Sequence, residues 1–191
     1  MSKNELNFIA ETHEYFLGLK RLPSVSEIMK PLTEVAMSKV PPWRLEEARN
    51  RGTGVHEARE DYSKFGVEDE GFEEYVDQCK KMMIEYKLIV MNCELRLTNG
   101  EFCGTLDLIV QDENGLLHII DTKTSYAIAP YVPIQLGAYS ILTSYNGIDI
   151  SRCYVFHVKP DTYSLVKKTP DFEQWKELYE IWKNKSDQHT D

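Results

Sequence analysis

Apolar and polar positions recur along the chain with changing periods, and each period predicts an element. Residues 12–23 read as a short hairpin, with Tyr15-Phe16-Leu17 and Arg21-Leu22 on either side of a turn at Gly18. Pro23-Ser24-Val25-Ser26-Glu27 then looks like a helix start, with Ser24 as N-cap and Glu27 at capping-box spacing. A second short helix is expected from Thr33, and Pro41-Pro42-Trp43 breaks the chain and opens a longer helix to about Phe65. Gly52 and Gly54 are odd inside that helix, because each costs about 1 kcal/mol against alanine. Either something approaches them closely or the helix is interrupted there.

Phe72, Val76, Cys79, Met83 and Tyr86 lie near helical spacing and predict an amphipathic helix over 72–86. Strands are expected at about 88–98, 101–110 and 116–123, the first two joined by the two-residue hairpin signal Asn99-Gly100. A helix over 133–145, strands at 151–159 and 162–168, and a closing helix over 171–185 with Asp171 as N-cap complete the pattern. That order predicts an α/β layered fold with a mixed sheet. The expected organisation is one domain over 1–191: a mainly helical part over 1–87, a sheet core over 88–168, and a C-terminal helix over 169–191.

Two aspartates interrupt this pattern. Asp107 stands in the apolar strand Gly104-Thr105-Leu106-Asp107-Leu108-Ile109-Val110, and the next strand closes as Ile119-Ile120-Asp121-Thr122-Lys123. Strands disfavour Asp, which otherwise only marks a strand end entering a loop. Strand side chains alternate between faces, so Asp121 and Lys123 point the same way. Two close carboxylates repel unless a cation lies between them, and hard oxygen ligands favour Mg²⁺ or Mn²⁺. The Lys123 ammonium would orient or help deprotonate a water and steady developing phosphorane charge. Gly104, at the strand entrance, removes a side chain where a ligand or another backbone comes close, or merely ends a turn.

Two helices add candidates. Gln135 and Tyr139, at i and i+4, share a face and can look back towards the metal or a phosphate, or lie on the surface. His56 follows Arg51-Gly52-Thr53-Gly54-Val55, with Glu60 one turn later, and reads as a metal or phosphate residue or as a satisfied structural histidine. His13, His118, His157 and His189 have no such context.

Composition narrows the class without deciding it. The chain has 191 residues, is 42% hydrophobic, and carries a formal net charge of −9, which argues against a broad basic nucleic-acid surface. A nuclease needs to hold a polyanion only along a groove. Much of the acidic excess lies in Glu68, Asp69, Glu70, Glu73, Glu74 and Asp77, read as a solvated helix start. Cys79, Cys93, Cys103 and Cys153 form no C-x-x-C pair and read as reduced structural residues. No run of eighteen apolar residues or signal-peptide pattern is present, so a cytoplasmic protein is expected.

Gly104-Thr105-Leu106-Asp107, Asp121-Thr122-Lys123 and Gln135-Leu136-Gly137-Ala138-Tyr139, preceded by Gly52-x-Gly54-x-His56, resemble the PD-(D/E)xK nuclease superfamily. Within it they are similar to the RecB-type exonuclease branch and its phage-encoded members akin to the mitochondrial genome maintenance exonuclease. Leu22-Pro23-Ser24-Val25-Ser26 also resembles an N-terminal signature of those phage proteins. The resemblance runs from about residue 15 to 168. It implies a restriction-endonuclease-like core, a central mixed β-sheet flanked by helices, and Mg²⁺- or Mn²⁺-dependent hydrolysis of DNA.

By motif, Asp107, Asp121, His56 and the Thr122 carbonyl would hold the metal. Lys123 would be catalytic, and Gln135 and Tyr139 would position substrate; Arg51 and Glu60, beside His56 in the sequence, are further candidates for positioning substrate. Asp121 stands where many members have Glu, which shortens its reach. Members with an iron–sulfur cluster carry one early and three late clustered cysteines, a pattern this chain lacks, so no cluster is expected. The implied substrate is single-stranded DNA or a DNA end, in phage or mobile-element replication or recombination. Lys20, Arg21, Arg44, Arg49, Arg51 and Arg59 are candidate phosphate contacts; Tyr15, Phe16, Trp43 and Tyr126 are candidate stacking aromatics. A non-catalytic binding module on a nuclease fold and a restriction-type endonuclease are the alternatives.

Overall fold

A computed structural model describes residues 6–187. Three short antiparallel strands come first: β1 (Leu6–Ile9), β2 (Glu14–Leu17) and β3 (Lys20–Leu22). The hairpin around Gly18 is as expected, whereas β1 was not, because its four residues carry no turn signal before them. Helices α1 (Val25–Ile28), α2 (Lys30–Met37), α3 (Pro42–Phe65) and α4 (Glu73–Glu85) follow. Ser24 caps α1 by accepting the Glu27 amide at 3.1 Å. The reciprocal half of the capping box is not made, since the Glu27 carboxylate turns to Arg21. Glu73 and Glu74, from the acidic run, occupy the first turn of α4.

The main sheet has the spatial order β4 (Ile89–Thr98), β5 (Cys103–Gln111), β6 (Leu117–Lys123), β7 (Ile150–Val158), β8 (Tyr163–Lys168). All neighbours are antiparallel except β6 and β7, which are parallel and joined by the crossover helix α5 (Val132–Tyr145). The chain closes in α6 (Phe172–Asp187), whose first turn is capped by Asp171 accepting the Gln174 amide at 2.9 Å. The sheet is therefore mixed and flanked by helices on both faces, as the order of elements predicted.

Side-chain alternation sends each strand into two cores. Leu106, Ile109, Ile119, Cys153 and Val155 pack with Leu136, Leu142, Trp175 and Tyr179 of α5 and α6. Leu108, Val110, Ile120, Phe156 and Val158 pack with Val55, Cys79 and Met82 of α3 and α4. The small sheet covers a third cluster of Tyr15, Leu22 and Cys103, and the Cys103 amide ties it to the main sheet by donating to Pro23 O at 3.0 Å. No helix among the described residues is long and apolar enough to cross a membrane.

The glycines explain how closely the layers approach. α3 is unbroken at Gly54, and a Cβ there would fall 2.1 Å from the Phe72 ring, so the ring before α4 is what comes close. A Cβ on Gly137 would sit 2.5 Å from the Asp171 carbonyl oxygen. That neighbour is backbone, so α5 and the start of α6 would have to separate. Gly137→Ala is expected to lower stability by about 1–3 kcal/mol through overpacking. A lower urea midpoint at unchanged m-value checks it.

Candidate metal centre

The β5–β6 ladder ends at the pair Leu108↔Ile120. Beyond it the Thr122 amide would lack a ladder partner, and the Asp107 side chain takes it, accepting at Oδ2 over 2.6 Å. On the other edge of β5, the pairs Cys93↔Leu108 and Leu95↔Leu106 set Glu94 opposite Asp107. Glu94 has φ of 51°, left-handed backbone that costs a non-glycine residue on the order of 1 kcal/mol. Leu106 and Leu108, two residues apart, join opposite cores, so the alternation of faces slips across Asp107. The strands open at this point, and their carboxylates converge in the gap.

α3 brings His56 to the same place. Its Nδ1 lies 3.2 Å from Glu94 Oε1 and 3.6 Å from Asp107 Oδ1. His56, Glu94 and Asp107 can each offer one ligand atom with all three within 4.8 Å of one another. Asp121 stands outside that trio, beside it on β6. Lys123 Nζ donates to Asp121 Oδ1 at 3.0 Å and to Gln135 Oε1 at 3.1 Å, and Gln135 Nε2 donates to the Tyr139 hydroxyl at 3.1 Å. Asp121 Oδ2 is buried and lies 2.9 Å from Nζ, yet it receives no directed hydrogen bond. Two carboxylates and one imidazole nitrogen form an oxygen-rich donor set that fits Mn²⁺ or Mg²⁺, with the buried, orphaned Asp121 Oδ2 on the strand beside it.

Three carboxylates this close need counter-charge, and Arg59 supplies it. Its side chain is buried, one turn after His56 on α3. The guanidinium donates to Glu94 Oε1 and Thr122 Oγ1, and to the Asp107 carbonyl at 3.3 Å. Lys123 is the second permanent cation. The electrostatics follow from this arrangement. Burial alone would raise the Asp107 carboxyl, but His56, Arg59, Lys123 and the Thr122 amide outweigh it and hold Asp107 below the usual carboxylate range. Asp121 is raised by burial and by Asp107, against the pull of Lys123. The pair therefore gives up its protons in separate steps. Burial disfavours the charged forms of His56 and Lys123, yet the facing carboxylates raise both. Tyr139 is pushed well above its ordinary value by burial and the two aspartates, so it remains a phenol.

The residues picked out by sequence do not all meet here. His56, Asp107, Asp121, Thr122, Lys123, Gln135 and Tyr139 do. Gly104 serves the same cluster, because a Cβ there would lie 3.0 Å from the Tyr139 ring. Arg51 is half-buried on α3 outside the cluster, and Glu60 pairs with Lys64. Arg59 is no phosphate contact, since it is 2% exposed and engaged by Glu94. Tyr15, offered for stacking, is buried with its hydroxyl on Thr105 at 2.7 Å. Arg21 is held by Glu14 and Glu27, and Lys20 donates to Gly100 O. Trp43 and Tyr126 are exposed.

Glu94 was missed for a reason of register. A two-residue turn at Asn99-Gly100 would set Glu94 opposite Thr105. The observed pair Thr98↔Cys103 leaves a four-residue loop, fastened by Asn99 Oδ1 accepting the Glu101 and Phe102 amides, and moves Glu94 opposite Asp107. The Arg59 side chain gives a direct test. Arg59→Met leaves three carboxylates facing Lys123 alone and is expected to cost about 3–5 kcal/mol in EDTA. Saturating Mn²⁺ should restore more stability to this variant than to wild type in urea unfolding. Equal stabilisation of both would show that Arg59 is not the counter-charge of this site.

No protein-family model matches the chain, and no curated protein matches it. A solved structure described as "Crystal structure of SSO0001" is similar at 17% identity and a TM-score of 0.38, over 80% of this chain and 66% of that one. These comparisons assign no family.

Proposed function

We propose that this protein is a Mg²⁺- or Mn²⁺-dependent DNA exonuclease of the RecB-type PD-(D/E)xK kind. The observation that carries the proposal is the Lys123 ammonium, held between Asp121 and Gln135 at the edge of the Asp107–His56–Glu94 cluster. A fold freed of chemistry has no reason to keep such charges together in its interior. The motifs that resemble the RecB-type branch are also the ones whose side chains meet.

His56, Asp107 and Glu94 would hold the ion, joined by Asp121 and the Thr122 carbonyl from β6. The bound ion supplies Lewis acidity at the scissile phosphate and at the attacking water. The protein's own groups do the rest. Lys123 is held as an ammonium by the two aspartates, so it acts as a donor and positive charge towards the developing phosphorane rather than as a base. Gln135 accepts from Lys123 and donates to Tyr139, which fixes the direction of Nζ. Arg59 keeps Glu94 and the Asp107 backbone in place from beneath.

Single-stranded DNA or a DNA end is the expected substrate. On end-labelled oligonucleotides with Mn²⁺, linear single strands should be degraded and circular ones left intact. Cutting of circles would favour an endonuclease. Asp121→Ala and Lys123→Ala should each lose at least about 10²-fold in rate while keeping the wild-type fold by circular dichroism. Either variant degrading DNA at the wild-type rate rejects the assignment. Glu94→Gln, which removes one carboxylate from the trio that would hold the ion, should weaken Mn²⁺ binding by about 10–100-fold in calorimetry.

A further inference from the structure

Beside the metal centre lies a cavity of about 590 Å³, between the small N-terminal sheet, α3 and β4. His56 and Glu94 line it on the side of the metal centre, and Phe8, His13, Glu57 and Arg96 are among its other walls. Its volume lies within the roughly 300–1,000 Å³ range of small-ligand sites. We propose that it receives one nucleotide of single-stranded DNA, next to the scissile phosphate, with the base against a Phe8–Arg96–His13 wall. This rests on the nuclease reading and names the substrate subsite of the same centre.

The wall is built for a flat, partly charged ligand. The Arg96 guanidinium lies over the Phe8 ring at 4.6 Å, and Phe8 meets His13 edge-on at 5.1 Å. Behind them Tyr15 packs on Phe8 at 4.7 Å and bonds to Thr105 at 2.7 Å, which ties the wall to the main sheet. Bases stack on aromatic rings and on guanidinium planes, whatever their identity. Among the described residues Arg96 has no carboxylate at ion-pair distance, and it lines the cavity as a cation. Glu57 is exposed at the edge, and Glu60 and Glu94 also line the cavity. Acidic groups there disfavour a run of phosphates, and Arg96 is the permanent cation among the lining residues. His56 and Glu94 belong to both the cavity lining and the metal centre, so an occupant would lie next to the ion.

The test uses the full chain with Ca²⁺ in place of Mn²⁺ and a thymidine oligonucleotide ending in 2-aminopurine. Binding is read by anisotropy and base stacking by quenching. Phe8→Ala and Arg96→Gln should each weaken binding on the order of tenfold and relieve the quenching, and Phe8→Trp should restore both. An oligonucleotide with an abasic end should lose the same affinity on the wild-type protein and lose no more on Phe8→Ala. Losses that add, or wild-type quenching in both variants, overturn the proposal. Should Phe8→Ala melt below the assay temperature, Arg96→Gln and the exposed His13→Ala decide it by the same abasic comparison. Wild-type hydrolysis of bis(p-nitrophenyl) phosphate and of DNA in Mn²⁺ is scored separately. Failure there removes the nuclease reading, and the quenching still reports whether a base enters the cavity.

Discussion

Three carboxylates, Glu94, Asp107 and Asp121, converge where the central strands part, and the rest of the site is organised by the need to hold like charges together. Two permanent cations make this possible from opposite sides. Arg59 reaches from α3 and Lys123 from β6, and each is itself held by the groups it neutralises. Removing an ion from such a set leaves the remainder uncompensated in a poorly solvated place, which is why the cations and carboxylates act as a unit. With His56 neutral, three carboxylates against two cations leave one negative charge in excess, which is the electrostatic condition under which a divalent cation is welcome.

The backbone contributes as much as the charges. β5 and β6 stop pairing at Leu108↔Ile120, and the Asp107 side chain replaces the missing ladder contact to the Thr122 amide. Asp107, itself buried, is thereby oriented by the break in the sheet. Opposite it, the left-handed backbone at Glu94 stores local strain that the Arg59 ion pair helps retain. Gly104 lets Tyr139 lie against the strand, so Gln135, and through it Lys123, is set by packing as well as by hydrogen bonding. Layer contacts made at Gly54 and Gly137 hold α3 and α5 at the distances their functional side chains need.

Much of the fold was legible because its signals are local. Pro42 opens α3 and the pattern ends near Phe65; Ser24 and Asp171 cap where their side chains predict; and the strands alternate between two helical layers. The D-T-K strand and the Gln135–Tyr139 helix face each carried their own geometry within a few residues, while their meeting was only what the family resemblance implied. What failed to be readable depended on distant partners. Arg59 looks like any surface arginine until α3 is laid against β5. Tyr15 looks like a stacking aromatic until the small sheet closes over Cys103. β1 is four residues that become a strand only because β2 is beside them.

By itself the sequence determined the order of elements, the mixed sheet, and the chemistry available in Asp107, Asp121, Lys123 and His56. Periodicity and capping act over one or two turns, and a side chain's chemistry travels with its name. Only the tertiary structure decided that Glu94 joins them, that Arg59 neutralises them, and that Phe8 and Arg96 wall a cavity at their side. Those outcomes hang on the register of β4 against β5, which a loop of four residues rather than two sets, and on the angle at which α3 crosses the sheet. A shift of one residue in a strand exchanges its faces, so long-range register carries information that local pattern does not.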